Sequence, residues 1–240
     1  MRTKILYNYF ILIRKMILYN LRIIFANKFI WFLAGSVLFY VLLSVNNVFE
    51  HDVSRIQDLY GTFLFSGILL VFYPTVFGIQ NDQDARTIEI LFGIPNYRYK
   101  VWLLRVVLIF VIAFLIMLVF TFLSSILMVK FRIVNMTAQV MVPVLFLGMM
   151  AFMLSTIVRN GNGTAVLMII FGLFFLILSD ADFLRKSQWN VFLNPYELPN
   201  NVNETTWAII TLKNRITLIT GTILFLLAAL YNLQKREKFM

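Results

Sequence analysis

The chain contains no cysteine, which excludes disulfides, thiolate metal sites and cysteine nucleophiles together. Its single histidine, His51, sits beside Glu50 and Asp52; three neighbouring polar residues at the end of an apolar run read as a solvated loop, and no second ligand pair at helical spacing accompanies them. No GxxxxGK[ST] phosphate loop is present, so the common route to nucleotide hydrolysis is closed to this chain. Charge is scarce as well, at 13% of 240 residues. Six apolar runs, Phe29 to Val45, Leu59 to Ile79, Val106 to Val129, Met136 to Val158, Thr164 to Ser179 and Ile216 to Leu233, hold no Asp, Glu, Lys, Arg or His. Ion-driven transporters and voltage sensors place ionisable groups within the membrane, so these runs argue against an ion gradient as a source of energy.

What the chain has in excess is hydrocarbon: 61% of its residues are hydrophobic, well above soluble domains. Each run approaches or exceeds the roughly 20 residues that carry a helix across about 30 Å of hydrocarbon. The runs are continuous rather than alternating, so they predict helices and not barrel strands. No small-residue cleavage site follows the first run, which is therefore expected to remain as a span.

Charge sets the expected orientation. Most of the basic residues fall before the first run (Arg2, Lys4, Arg14, Lys15, Arg22, Lys28), between the second and third (Arg86, Arg98, Lys100, Arg105), at Arg159 and in the tail (Lys235, Arg236, Lys238). Most of the acidic residues (Glu50, Asp52, Asp58, Asp180, Asp182, Glu197, Glu204) fall in the other connections. The positive-inside rule then places both termini in the cytoplasm, with the chain in the inner (cytoplasmic) membrane. The net charge of +10 is accounted for by that topology and by anionic inner-leaflet lipid, with no need for a nucleic-acid partner.

The expected architecture is a single all-α membrane domain over residues 1–240. Residues 1–28 predict an interfacial amphipathic helix, with Leu6, Phe10, Ile13, Ile17, Leu21 and Ile24 on one face and Lys4, Asn8, Lys15 and Arg22 on the other. Residues 180–211, with Trp189, Phe192, Pro195, Tyr196, Pro199 and Trp207, are too apolar for a free loop and too interrupted for a span. They predict short re-entrant helices in the outer interface. Pro74 and Pro143, with Gly67, Gly78 and Gly148 nearby, predict local bends, and "RNGNG" from Arg159 predicts a tight inner turn.

One charged stretch with helical patterning interrupts the apolar sequence. In "DQDARTIEILFGIP", Asp82 to Pro95, either Asp82 or Asp84 can cap a helix start, Ile88, Leu91 and Phe92 share a face, and Gly93 and Pro95 stop it. A short cytoplasmic helix over 82–97 is expected. Because it joins the second and third spans, a force applied to it reaches both.

The longer segment "QNDQDARTIEILFGIPNYRYKVWLLR", Gln80 to Arg105, resembles the cytoplasmic loop of ABC-2 type permeases, the membrane subunits of one class of ATP-binding-cassette exporters. That family has an acidic residue, a Gly-Thr-x-Glu-x-Leu core, a proline, a basic residue and a Lys or Arg leading into the third span. Asp82 or Asp84, Thr87, Glu89, Leu91, Pro95, Arg98 and Arg105 match it, while Arg86 stands where the family usually has glycine. "VRNGNG" is similar to the family's fourth inner turn, and "FLNPYELP", with Asn194 and Pro195, to its Asn-Pro element before the last span.

The resemblance implies that Asp84, Thr87, Ile88, Glu89, Leu91, Phe92, Pro95 and Arg98 form a coupling helix seated on a separate ABC ATPase subunit. ATP and Mg would then belong to that partner, with no cofactor, catalytic residue or metal site in this chain. Two permeases, as a homodimer, would enclose the substrate path in the lipid. Plainer readings stand beside these: Glu89 can form an ordinary surface ion pair with Arg86, worth under about 1 kcal/mol, and Ile88, Leu91 and Phe92 can pack on the chain's own helices. The alternative function is a non-transporting membrane scaffold that docks a cytoplasmic regulator through the same loop.

Overall fold

The structure, a computed structural model, describes residues 18, 28–50, 56–84, 98–199 and 202–234, with the side chains of 47, 48, 50, 98–100, 182 and 183 outside that description. Its regular elements are all helical: α1 (Phe29–Glu50), α2 (Ile56–Val76), α3 (Gly78–Asp84), a π-helical turn (Arg98–Leu103), α4 (Leu104–Leu127), α5 (Ile133–Val158), α6 (Gly161–Asp180), α7 (Asp182–Arg185) and α8 (Glu204–Asn232). Among the described residues, six stretches are long and apolar enough to cross a membrane, with α2 and α3 together forming the second and the π-helical turn leading into the third. The surface agrees with that make-up. On α4, Val107, Val111, Leu115, Val119, Phe122 and Ile126 are exposed at three- and four-residue steps, a stripe suited to hydrocarbon contact and costly in water.

α2 and α5 form the axis of the bundle. Those two spans are the most buried, and α1, α6 and α8 the least. α1 packs on α2, α8 on α5, and α4 against both central helices. The interior is filled by Phe63, Leu70, Val71, Met117, Met136, Val140 and Val144, all nearly inaccessible. In lipid, apolar side chains gain little by moving from tails to protein, so close approach and polar bonds must help select the pairing.

Both devices are present. Ser36 Oγ donates to Ser66 O at 2.9 Å, tying α1 to α2. The Thr121 and Thr137 hydroxyls meet at 2.9 Å between α4 and α5. Tyr40 stacks on Phe120 with centroids 4.5 Å apart and hydrogen-bonds Ser124 Oγ at 2.8 Å, tying α1 to α4.

Gly67 and Gly148, expected at bends, lie within unbroken helices. A Cβ on Gly148 would come 2.8 Å from the Phe110 ring, and one on Gly67 would come 2.9 Å from Val144. These glycines let neighbouring helices approach closely. Gly148→Val should therefore force α4 away from α5 and destabilise the chain by about 1–3 kcal/mol, the usual cost of overpacking; a lowered unfolding midpoint in detergent checks this.

Pro143 sits in a continuous α5, whereas the second span breaks at Phe77, three residues after Pro74. Proline removes a backbone donor and clashes with the preceding turn. The neighbouring Thr75 Oγ1 donates to Val71 O at 2.7 Å, supplying a carbonyl of that turn.

All six spans alternate in direction, so the ends of α2–α3, α5 and α8 gather with the starts of α1, α4 and α6. Contacts between Phe32 and Tyr73 and between Asn232 and Thr156 mark this as one end of the bundle. This is the Asp82 end. The opposite end carries Arg215.

Candidate functional site at the Asp82 end

The segment expected to act as a coupling helix is flanked by α3 and by the π-helical turn. At that point two opposite charges face each other inside the protein. Arg105, on the first turn of α4, places Nη1 2.6 Å from Asp82 Oδ2. Their side chains are only 4% and 5% exposed, respectively. The guanidinium also lies over the Trp102 ring, 4.8 Å from its centroid, a favourable stacking for a desolvated cation.

A charge-assisted bond of this length is strong and directional. Its net contribution against an apolar pair is small, because both ions are desolvated. What it supplies is a fixed register between the end of the second span and the start of the third.

Neighbouring polar side chains extend the joint. Gln80 Oε1 accepts the Gly161 N–H and so reaches the start of α6. Asn81 Nδ2 donates to the Tyr73 hydroxyl at 3.1 Å. The turn that meets Gln80 is tightly shaped: Arg159 closes α5 with φ 60°, and Asn160 caps α6 by accepting from Gly163 N at 3.0 Å. A Cβ on Gly161 would collide with the Phe77 ring, so the expected "RNGNG" turn is built for close contact with the broken second span.

Of the residues singled out in the sequence, Asp84 ends α3, is exposed, and receives the Gln80 amide at 3.4 Å. Asp82 lies within α3, which runs from Gly78 to Asp84. Thr87, Ile88, Glu89, Leu91, Phe92 and Pro95 lie outside the described residues, as do His51 and most of residues 1–28. Arg98 opens the π-helical turn, with only its backbone described. Among the described residues no three His, Cys, Asp or Glu gather as metal ligands.

Asn194 and Pro195 belong to the other end. Asn194 Nδ2 donates to Gln57 O at 3.0 Å, its Oδ1 accepts from Tyr196 N at 3.1 Å, and Pro195 O accepts from Trp207 Nε1 at 3.2 Å. They pin the connection between α7 and α8 onto the starts of α2 and α8. Within the expected re-entrant region 180–211, the four-residue α7 is the one short helix among the described residues. The stretch from Lys186 to Pro199 is turns, and residues from Glu204 onward belong to α8. Burial beside Tyr60 holds the Tyr196 phenol above its usual pKa, with Arg215 opposing, so it stays neutral near pH 7.

Two arrangements escaped the sequence reading. Asp82 and Arg105 were legible as loop charges but not as a pair, although an acid at the end of one apolar run and a base at the start of the next is a usable signal. Arg215 stands just before the sixth apolar run, where the sequence gives no sign of burial. It is 6% exposed within α8, bonded to Gln139, Tyr60, Asn214 and the Leu193 carbonyl.

No protein-family model, curated protein or solved structure matches the chain.

Proposed function

We propose that this chain is the membrane permease subunit of an ABC-2 type exporter, paired with a second copy around the substrate path and driven by a separate ATPase. It would lie in the cytoplasmic membrane with the Asp82 end and both termini in the cytoplasm. The observation that carries this reading is the Asp82–Arg105 clamp, because its two residues flank the coupling-like segment in the sequence. A segment that merely connected two spans could end in solvated charges. Here its two roots are joined by a dry ion pair and, through Gln80, to the turn between α5 and α6.

In this reading the partner ATPase presses on the face formed by Ile88, Leu91 and Phe92. The clamp makes the ends of the second and third spans move as one body. The break at Phe77 is the place where the second span can flex, and Gln80 passes the displacement to the fourth and fifth spans. ATP and Mg bind the partner, and this chain supplies the path and the lever.

Purification in mild detergent tests the reading. The wild-type chain should retain a protein with a Walker A motif, and Leu91→Arg or Phe92→Arg should lose it while still inserting in the membrane. Retention of a cytoplasmic protein lacking nucleotide motifs would instead favour the scaffold.

A further inference from the structure

At the opposite end, α5, α8 and residues 195–198 enclose a cleft of about 660 Å³ whose lining includes Val142, Leu198, Trp207, Leu212, Thr211 and Arg215. We propose that this cleft binds an amphiphile by its acidic headgroup, with Arg215 as the anion anchor and the apolar wall as the seat of its hydrocarbon chain. The proposal needs no ATPase and no transport, so it stands or falls apart from the permease reading.

The first support is the state of the charge. The Arg215 guanidinium donates to Gln139 Oε1 (2.8 Å), Asn214 Oδ1 (2.9 Å), Tyr60 OH (3.0 Å) and Leu193 O (3.3 Å). Every one of these acceptors is neutral. Among the described residues no carboxylate lies within salt-bridge distance of it. A buried cation without a counter-ion is costly, and in membrane proteins it marks a site that faces a ligand or an aqueous path. Glu204 also lines the cleft, but it precedes Arg215 by about 16 Å of helix at 1.5 Å per residue, too far to serve as its counter-ion.

The second support is the unspent bonding capacity on the same wall. Guanidinium has five N–H groups, and the four bonds above leave one on Nη1. One turn earlier, where i and i+4 share a face, the Thr211 hydroxyl is buried with no partner. Elsewhere on α8, Thr217, Thr220 and Thr222 all donate to the carbonyl four residues back. Thr211 departs from that habit where it lines the cleft. A phosphate or carboxylate oxygen would accept from both groups and neutralise the arginine.

The third support is the wall itself. Leu198 and Leu212 are exposed at 44% and 61% beside the anchor, and Arg215 immediately precedes the apolar run that begins at Ile216. An anchor there sits at headgroup level, with hydrocarbon contact to one side. Holding the 188–194 connection explains the hydrogen bonds of Arg215 and Asn214, but neither the missing counter-ion nor the idle threonine.

Binding of dioleoyl-phosphatidylglycerol and dioleoyl-phosphatidylcholine to the purified chain, compared by native mass spectrometry at equal concentration, tests this. The acidic lipid should bind about tenfold more tightly, the worth of one charge-assisted bond. Ala208, exposed on the cleft wall, can be enlarged without touching the guanidinium bonds. Ala208→Trp should abolish the preference with an unchanged unfolding midpoint, and Thr211→Val should weaken it. Dodecyl phosphate should displace the acidic lipid where inorganic phosphate does not. Acidic phospholipid carried through purification by the wild type and lost from Ala208→Trp would identify the bilayer as the source; competition by dodecyl phosphate without such carry-over would identify a single-chain cargo. Equal binding of the two lipids, an Ala208→Trp variant with intact preference, or displacement by inorganic phosphate alone would overturn the proposal.

Discussion

Replacing Asp82 with leucine is expected to destabilise the folded chain by about 3–5 kcal/mol, the usual result of stripping one partner from a buried ion pair. Arg105 and Asp82 are 2.6 Å apart and almost inaccessible, so water cannot readily take the place of the lost carboxylate. The loss should appear as a lower unfolding midpoint in detergent and as a smaller monodisperse fraction. The double change Asp82→Leu with Arg105→Met should recover most of it, because an apolar pair of similar volume commonly matches a buried salt bridge. If the single variant were as stable as the wild type, the two charges would not be clamped in a dry joint.

Arg215→Leu should be comparably severe, at more than about 3 kcal/mol, for a different reason. It removes no ion pair; it orphans the Gln139 amide oxygen, the Asn214 oxygen, the Tyr60 hydroxyl and the Leu193 carbonyl at once, and each buried unsatisfied group costs about 1–3 kcal/mol. Asn214 also holds Gln188 O and Asn190 O, so the stretch from Lys186 to Pro199 should become accessible to protease as the midpoint falls. Arg215→Lys keeps the charge but not the planar fork of donors, and should restore only part of the loss. Unchanged protection of 186–199 in Arg215→Leu would show that the segment is held by Asn194 and Trp207 instead.

The spans were legible because lipid leaves the backbone one economical solution for a long apolar run, an internally bonded helix. Their ends were not. The sixth span, α8, begins at Glu204 and not at Ile216, since Lys213 and Arg215 make its first turns look like loop. The partners that accommodate Arg215 are far away in sequence: Gln139 on α5 and Tyr60 on α2. No local pattern could have announced them. The close approaches at Gly67 and Gly148 were illegible for a similar reason, because the rings and methyls they make room for come from other helices. Pro74 carried a local signal, and the break at Phe77 follows it. At the candidate site, Asp82, Asp84 and Arg105 were visible as letters in one stretch, but the pairing depends on how two spans come together.

The most direct measurement is the ATP turnover of the partner ATPase reconstituted in nanodiscs with this chain. The permease reading predicts that the wild-type chain stimulates turnover several-fold, and that Leu91→Arg, inserted at the same level, gives none of that stimulation. Equal stimulation by Leu91→Arg and the wild type would contradict the claim that energy enters between the second and third spans.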